Sequence, residues 1–395
     1  MLLAALLISL LASALVLALA HATGLGLASR RQARDGALAL VCAQAGVEQA
    51  LELARSDTDW RANLLAPEWL TEAAVGAGRV TVTAGDPGDG LLAANGSTGS
   101  STADTLRLTA RAWVRDAERG LRVDCLPLPH TALRAAAFGA SYVGLQGVVL
   151  EGRVRGNGEI RHVGGATLYG DITTLEGASV SNDLDDDDTY ITYVTTSLAL
   201  PSVDFSWFRA AGEQVSLPWH GTLLNTHLTP EYNPYGSVSA EGIYWIDAHG
   251  GDVYLYNVAL EACLAVVDAS DVVVGDWWGD GTRYYHRSPD PERLPALLVD
   301  GDLTMRIEAS SEYHVPGIGT VTSGVEGVFF CTGDFWGPQY GSSEAVNCEG
   351  AFLANKLHLT GPGTRIRHAP ELNLRPLVEL AGNDLRPLPG TRREL

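Results

Sequence analysis

The densest group of potential metal ligands is the acidic run NDLDDDDTY at residues 182–190. Asp183, Asp185 and Asp187 have the D-x-D-x-D spacing with which a calcium-binding EF-hand loop begins, and calcium prefers six to eight oxygen ligands. The pattern then departs from such a loop, because Asp188 stands where glycine is needed and Val194 stands where a bidentate glutamate is needed. Two interpretations stay open: a calcium site at these aspartates and a solvated acidic loop.

A second set of carboxylates could act on or bind a polysaccharide. Paired carboxylates on one face of a parallel β-helix are a known arrangement for cleaving glycosidic bonds. The members that fall near Trp277 and Trp278 are Asp247, Asp252, Asp268, Asp271, Asp276 and Asp280. Aspartate after glycine is also ordinary turn chemistry, and it recurs here at turns with no aromatic neighbour. Glycan binding by the tryptophans is therefore a better-supported alternative than glycan cleavage.

No motif of a known catalytic or cofactor site occurs in the chain. The sequence contains no P-loop, no GxGxxG, no HExxH and no GxSxG, and its ten histidines are scattered. We expect a protein that is not an enzyme and holds no cofactor, apart from the candidate calcium ion.

The five cysteines form no CxxC pair, which argues against zinc. Cys331 and Cys348 flank an aromatic, glycine-rich loop, so in an oxidising compartment they are candidates for a disulfide. The remaining cysteines, Cys42 among them, fit small buried apolar positions.

Composition narrows the class of partner. The formal net charge of -20 argues against nucleic acid and against polyanionic ligands, since both require clustered Lys and Arg. A length of 395 residues allows two or three domains, and a hydrophobic content of 46% excludes general disorder.

The amino-terminal stretch predicts one long helix with two different halves. No charged residue precedes Arg30, and the apolar residues 2–20 are sufficient to cross the hydrocarbon core of a membrane, so we assign residues 1–28 to a transmembrane helix. Beyond Arg30, apolar and small residues recur at helical spacing, and no proline intervenes before Pro67. The recurring positions are Ala33, Ala37, Leu40, Gln44, Val47, Leu51 and Ala54.

A cleaved secretory signal is the alternative to an uncleaved anchor. Ala20-His21-Ala22 has the A-x-A pattern of a signal cleavage site, although no basic region precedes the apolar core. We favour the anchor because the helical pattern continues past Ala22. Arg30, Arg31 and Arg34 would favour cytoplasmic retention of the residues on their carboxyl side, but long domains are translocated largely regardless of such charges. Both alternatives imply export of the remaining chain.

The two-part helix resembles the amino-terminal region of type IV pilins and pseudopilins, in particular minor pilin-assembly proteins. The segment that carries the resemblance is RDGALALVCAQAGVEQA, from Arg34 to Ala50. The resemblance implies a noncatalytic, single-pass structural subunit whose helix contacts other pilin-like subunits or assembly-platform proteins. It also implies location in the cell envelope or in a surface filament.

Three runs after the helix alternate apolar and polar residues, which predicts strands with one buried face. They are Arg79–Thr83, Leu106–Arg115 and Gly120–Cys125, with a hairpin turn at Asp116–Gly120 between the last two. We therefore predict an α+β pilin-like module in which residues 29–126 form the helix continuation and a small antiparallel sheet. Residues 127–132, rich in Pro and Leu, are predicted to be an extended linker.

Residues 133–380 predict a mostly-β domain with many short strands. A Gly-Asp pair followed by an apolar residue recurs, for example at Gly170-Asp171-Ile172, Gly301-Asp302-Leu303 and Gly333-Asp334-Phe335. Such turns favour a parallel β-solenoid, and a two-sheet sandwich is the alternative. Residues 242–372 also resemble the β-helical part of large bacterial pilin-like surface proteins, on phrases such as GIYWID and LPALLVDGDLTM. Residues 182–239 fit no coil and are predicted to be an inserted loop region, and residues 381–395 a polar tail.

Together these patterns predict a membrane-anchored, exported pilin-like protein that acts in pilus or secretion assembly or in adhesion. A membrane-tethered β-helical protein that binds or degrades polysaccharide is the alternative.

Overall fold

The computed structural model describes two compact units. The helix unit comprises residues 1–94, 104–126 and 383–395, and the parallel-sheet unit comprises residues 95–103 and 127–382. The residues that the structure describes are 2–56, 68–85, 106–181, 189–218, 220–275, 282–291, 293–308, 313–315, 318–338, 346–369, 372, 377, 380–388 and 391–395.

The helix unit begins with one unbroken helix, α1, Leu2–Ser56. Its 55 residues correspond to about 80 Å at a rise of about 1.5 Å per residue. The helical pattern on both sides of Arg30 is thus one element, which confirms the prediction of a single continuous helix. It contains a stretch that is long and apolar enough to cross a membrane.

An antiparallel sheet follows α1. Its first four strands are β1 Glu68–Val75, β2 Gly78–Gly85, β3 Leu106–Val114 and β4 Ala117–Pro129, and each pairs with the next. The sequence patterns found β2, β3 and β4 but not β1, in which Trp69 is buried against the helix unit's core. The turn between β3 and β4 lies at Arg115 and Asp116, before the predicted position, because Val114 pairs with Ala117.

One face of this sheet packs on the second half of α1. The inward residues of β2, β3 and β4 are the alternating set that the sequence predicts, from Val80 and Val82 to Val123 and Cys125. On the helix, Val47, Leu51 and Ala54 are buried as predicted, but Ala33 and Ala37 are exposed. The complete buried stripe is Ala39, Cys42, Ala43, Val47, Ala50, Leu51 and Ala54. Most of these side chains are small, which lets the helix approach the sheet closely.

The carboxyl terminus returns to the same sheet and is not the predicted polar tail. Strands β27 Ala381–Pro387 and β28 Arg393–Glu394 both pair with β4. The Thr391 hydroxyl lies 3.2 Å from the backbone N of Asp124, and the Leu388 N–H donates to the Asp124 carbonyl at 2.8 Å. The predicted linker is also absent, because β4 continues to Pro129 and a 3-10 helix, Thr131–Arg134, follows. Strand pairing over such a distance in sequence has no local signal.

The parallel-sheet unit contains most of the strands of the chain. They are β5 Ala137–Gln146, β6 Val149–Glu151, β7 Val154–Gly156, β8 Glu159–Val163, β9 Thr167–Tyr169, β10 Ile172–Leu175, β11 Ile191–Val194, β12 Glu213–Gln214, β13 Thr222–Leu228, β14 Ile243–Asp247, β15 Val253–Glu261, β16 Cys263–Val267, β17 Asp271–Val274, β18 Tyr284–Arg287, β19 Leu297–Val299, β20 Asp302–Met305, β21 Tyr313–Val315, β22 Gly319–Val321, β23 Gly324–Cys331, β24 Asp334–Pro338, β25 Asn347–Thr360 and β26 Arg365–Arg367. A short helix, α2 Phe205–Ala211, lies between β11 and β12.

Apart from the small β21–β22 hairpin, the described strands of this unit pair in parallel, in three series. Series A consists of β13, β15, β17, β20, β24, β25, β5 and β8, each paired with the next. Series B consists, in the same way, of β12, β14, β16, β19, β23, β25, β5, β7, β10 and β11. Series C consists of β13, β15, β18, β23, β25, β26, β6 and β9, and the longer strands contribute different segments to different series. Inward residues of all three series form one apolar core, with Tyr244, Phe329 and Phe352 among its largest members.

The order of strands in the stack differs from the order in the chain. β5 pairs with β25, so the strands from β5 to β11 extend one end of the stack, and the chain then crosses to the other end to begin again at β12. Residues 182–239 were predicted to fit no coil, but they contribute β11, β12 and β13 to the sheet. β11 carries exposed residues and β12 is only two residues long, so neither shows a hydrophobic alternation.

Candidate functional surfaces

The first half of α1 exposes a large apolar surface. Its described leucines and valine are between 57% exposed at Leu27 and 71% exposed at Leu15 and Leu17. Patches of contiguous apolar surface this long are rare on soluble monomers and mark contacts with a membrane or a protein. Fully burying one such side chain is worth about 1.5–3 kcal/mol, so seven of them represent roughly 10–20 kcal/mol.

The second half of the same helix has its partner within the chain. Gly46 lies so close to β2 that a Cβ placed there would be 2.6 Å from Val80 Cγ2. At Gly24 and Gly26, in the first half, such a Cβ would have no described atom within 4 Å apart from the local helix itself. An exposed ion pair of 3.2 Å between Arg115 and Asp35 also joins the sheet to this half.

The outward side of series B is apolar but covered. Outward residues of this series, including Cys263, Leu298, Phe330 and Leu353, belong to a second buried cluster. The crossing segment between β11 and β12 supplies the cover, since Phe208 of α2 is fully buried in this cluster. Asn157 anchors the segment through hydrogen bonds of 2.7 and 2.9 Å with the backbone of Leu198. This surface is structural.

The outward side of series C carries charges of both signs, and we call it the charge ladder. In register along the stack lie Glu261, Arg287, Glu326, Glu349, Arg367 and Glu151. Arg287 pairs with Glu326 at 3.3 Å, Arg367 pairs with Glu349 at 2.8 Å, and Arg365 pairs with Glu151 at 3.2 Å. The charges on this face largely neutralise one another.

The outward side of series A is different, and we call it the acidic–aromatic face. We call a line of outward side chains across neighbouring strands a column, and each strand a rung. One column begins with aspartates on successive rungs. Asp271 pairs with Asp302, and the Asp334 N–H donates to Asp302 Oδ1 at 2.8 Å. Asp252 directly precedes Val253, which pairs with Val272, so it extends the same column. The column then reaches Lys356, whose Nζ lies 3.0 Å from Asp334 Oδ2.

The surroundings of Asp271 disfavour the charged form of its carboxyl group. Burial raises its pKa, and the neighbouring charges of Asp302 and Asp252 act in the same direction, whereas a 3.3 Å hydrogen bond from the Thr304 hydroxyl opposes them. Its Oδ1 is buried and has no hydrogen-bond partner among the residues that the structure describes. Like charges directly opposite each other on neighbouring strands destabilise a sheet.

The second column of this face carries rings. Trp336 and His358 are paired across the sheet and stack with ring centroids 3.6 Å apart and planes 4° apart. Tyr142 lies on the far side of His358, with centroids 4.8 Å apart. Burial lowers the pKa of His358, which favours the neutral ring in this stack. Trp336 nevertheless remains 47% exposed, one of the large apolar side chains left open in this unit.

The structure separates the carboxylates proposed for polysaccharide chemistry. Asp252 and Asp271 lie on the acidic–aromatic face, whereas Asp247 lies at the end of β14 and pairs with Arg209 at 2.8 Å. Asp268 has a positive φ of 54° and directly follows β16. Asp276, Trp277, Trp278 and Asp280 lie outside the described residues.

The candidate calcium ligands Asp183, Asp185 and Asp187 also lie outside the described residues. Within the described part of the chain, no group of three or more His, Cys, Asp or Glu residues is arranged to hold a metal ion.

The predicted disulfide does not form. Cys331 and Cys348 are both free and buried. Cys331 follows Phe330, which pairs with Leu353, and Leu353 lies well beyond Cys348 along β25. A disulfide requires Cα atoms within about 7 Å, and this register places the two cysteines on different parts of the strand pair. Cys42, Cys125 and Cys263 are buried thiols as expected, and burial raises the pKa of Cys125 to about 12.

Sequence reasoning missed the ring column. Trp336, His358 and Tyr142 are far apart in the chain and converge only through strand register. One local signal was present. Asp302-Leu303-Thr304 and Asp334-Phe335-Trp336 share a pattern of aspartate, inward apolar residue and outward residue, and this pattern predicts that Trp336 faces outward.

No protein-family model matches the chain, and no curated protein matches it. Among solved structures, it is similar to the competence-associated pilin ComZ from Thermus thermophilus, at 11% sequence identity and a TM-score of 0.28, over 91% of this chain and 96% of that chain. A likeness at that TM-score does not establish a shared fold or function.

Proposed function

We propose that this chain is a noncatalytic, membrane-anchored structural protein of the pilin-like kind, exported to the cell envelope. Its first helical half would lie in the membrane or in the core of a filament, and the rest of the chain would be displayed outside. The partners we propose for the helix are other pilin-like subunits or assembly-platform proteins.

The observation that carries this proposal is the contrast within α1. A single helix packs its second half on a sheet and leaves the apolar side chains of its first half, from Leu11 to Leu27, open. An apolar helix of this length is stable where lipid or neighbouring apolar helices surround it. The combination of such a helix with a small antiparallel sheet is what the pilin-like resemblance of Arg34–Ala50 implies.

We propose further that the parallel-sheet unit is a three-faced β-solenoid, with series A, B and C as its faces. Corner residues support this interpretation. Asn225 and Asn257 both have positive φ, at 47° and 51°, and the Asn257 side-chain amide donates to Asn225 Oδ1 at 3.0 Å. Stacked left-handed asparagines are a way to turn successive coils at the same place. A solenoid offers long, repetitive outer faces suited to assembly or adhesion.

The proposal of a noncatalytic role is supported by how the aspartates of the acidic–aromatic face are used. Asp302 accepts a backbone N–H, Asp334 pairs with Lys356, and Asp271 accepts the Thr304 hydroxyl. Asp271, Asp302 and Asp334 thus each use at least one carboxylate oxygen in a contact with a neighbouring strand. A polysaccharide-degrading activity is the competing function, and hydrolysis of a glycan panel that disappears in Asp271→Asn would establish it.

Protease accessibility tests the proposed topology. Cells producing the full chain would be converted to spheroplasts and treated with proteinase K, with and without detergent. The proposal predicts that residues after α1 are digested in intact spheroplasts, while an amino-terminal fragment stays in the membrane pellet after alkaline extraction. Protection of the whole chain until detergent is added would contradict export.

A further inference from the structure

The acidic–aromatic face contains an open slot. Its second column runs Tyr254, Val273, Thr304 and Trp336 on successive rungs. His358 covers one side of the Trp336 ring at 3.6 Å, and the rungs on the other side carry Thr304 and Val273, which are too small to cover an indole. At about 4.8 Å per rung, Tyr254 and Trp336 stand roughly 14 Å apart, with the two small residues as a floor between them.

Carboxylates line one side of this slot. Asp252, Asp271, Asp302 and Asp334 occupy the neighbouring column on the same rungs. The Tyr254 hydroxyl donates to Asp252 Oδ2 at 3.2 Å, which fixes the aromatic end of the slot beside the acidic column. Asp252 and Asp302 are exposed, so their acceptor oxygens face solvent.

We infer that this slot binds a neutral, hydroxyl-rich polysaccharide. The face of a sugar ring presents C–H groups that pack on the negative face of an indole, and the rim of the same ring presents hydroxyl groups. Carboxylates accept hydrogen bonds from hydroxyls and donate none, so the acidic column matches that rim. A span of roughly 14 Å accommodates an oligosaccharide segment lying along the stack.

The charge of the face selects among glycans. Four aspartates along one edge repel the carboxylates or sulfates of an acidic polysaccharide, and the nearest cation in the column, Lys356, is already paired with Asp334. The charge ladder, by contrast, has Glu326, Glu349 and Glu151 paired with arginines, and its stacked rings, His227 and Tyr232, cover each other at 4.1 Å at the β13 end. Binding should therefore be confined to the acidic–aromatic face. The inference goes beyond the proposed anchor, since glycan binding and membrane insertion can succeed or fail independently.

Affinity electrophoresis and titration calorimetry would test it with the full chain in detergent. The probes are the neutral polysaccharides laminarin, xyloglucan and galactomannan, with alginate as an acidic control and chitosan as a cationic one. We expect retardation by at least one neutral glycan, and at least about a tenfold weaker affinity in Trp336→Ala, since a buried aromatic anchor contributes at least that much. Tyr169→Ala is the matched control, because it removes a 60% exposed ring from the charge-ladder side, and it should bind as the unaltered chain does.

A second variant protects the test against loss of folding. Thr304→Trp keeps Trp336 and fills the floor of the slot, so it should also abolish binding, and circular dichroism would confirm that each variant retains its β-sheet signal. Binding by no neutral glycan, binding that Trp336→Ala leaves unchanged, or binding of alginate or chitosan alone would each overturn the inference. None of these results would affect the membrane anchor.

Discussion

The two halves of α1 show how one regular element can serve two purposes. Both halves are rich in alanine, leucine and valine, and both have the same backbone geometry. The second half buries Ala39, Ala43 and Ala50 completely, whereas Leu15 and Leu17 of the first half are 71% exposed. The difference lies in what the chain provides as a partner. An apolar surface with no partner among the described residues is the place where we expect a membrane or another protein to bind.

Two faces of the parallel-sheet unit differ in a similar way, in whether their carboxylates have cationic partners. Glu326, Glu349 and Glu151 of the charge ladder are paired with arginines at 2.8–3.3 Å. The aspartates of the acidic–aromatic face stand beside one another, with Lys356 as the cation that closes their column. Exposed ion pairs contribute little to stability, so we interpret the charge ladder as a solvated surface. The acidic–aromatic face is the surface to which we assign a binding function.

The largest expected effect comes from placing charges on the open half of the helix. Leu11→Arg combined with Leu15→Arg puts two arginines into the apolar segment at a cost of about 2.5–3.5 kcal/mol each near the centre of a bilayer. The variant should shift from the membrane fraction to the soluble or misassembled fraction, measured by carbonate extraction and immunoblotting.

The matched control has the same spacing in the other half. Ala37→Arg combined with Val41→Arg adds the same charge at two exposed positions of the packed half. It should remain in the membrane fraction. Equal behaviour of the two double variants would remove the distinction between the halves.

A buried histidine beneath the charge ladder gives the next effect. His286 accepts the Tyr284 hydroxyl at 2.7 Å through Nδ1 and donates to the Ala262 carbonyl at 3.0 Å through Nε2, so both nitrogens are used in the neutral ring. Burial lowers its pKa to about 4. Because this folded-state value is below the unfolded value of about 6.5, stability is present above pH 6.5 and is lost as the pH falls towards 4, by roughly 3 kcal/mol.

Thermal melts between pH 7 and pH 4 would measure this loss. His286→Gln keeps polar partners for Tyr284 and Ala262 but does not titrate, so its melting temperature should fall less steeply over that range. Parallel pH curves for the two proteins would show that His286 is not the titrating group.

A pair of glycine substitutions sharpens the comparison between the helix halves. Gly26→Ala should stabilise α1 by about 0.5–1 kcal/mol, because alanine has the higher helix propensity and the added Cβ meets nothing within 4 Å. Gly46→Ala should instead destabilise the helix unit by about 1–3 kcal/mol, because its Cβ would overlap Val80. Chemical denaturation followed by circular dichroism at 222 nm would give both signs. The same sign at both positions would argue against the close approach at Gly46.

The smallest effects distinguish the two faces of the parallel sheet. Burial raises the pKa of Asp271, so its ionisation lowers the stability of the folded chain as the pH rises above the unfolded-state pKa. Asp271→Asn should therefore stabilise the chain at pH 7. Glu349→Gln breaks the half-exposed pair with Arg367 and should destabilise it by about 0.2–1 kcal/mol. Melting temperatures at neutral pH would show whether the two neutralisations have opposite signs, as the contrast requires.

Local patterns predicted the parts of this fold that local forces decide. The absence of proline and the helical periodicity predicted α1, and alternation predicted β2, β3 and β4 together with their buried residues. The Gly-Asp turns predicted short strands, and Leu303 and Phe335 are inward as expected after Asp302 and Asp334.

Features that depend on register could not be predicted in this way. The pairing of β27 and β28 with β4, and the stacking of β5 on β25, join segments that are remote in sequence. Cys331 and Cys348 look like neighbours along the chain, yet the register of β23 and β25 separates them. The stack of Trp336, His358 and Tyr142 is the converse case, since only the register brings it together.

The amino terminus and membrane partition of the mature protein test the central claim most directly. Full-length chain produced in cells would be recovered from membrane and soluble fractions, and its first residue identified by mass spectrometry of the amino-terminal peptide. We predict that the protein found in the membrane fraction retains the apolar residues from Leu11 to Leu19 and resists alkaline extraction. A mature protein that begins at Thr23 and is recovered in the soluble fraction would contradict the account.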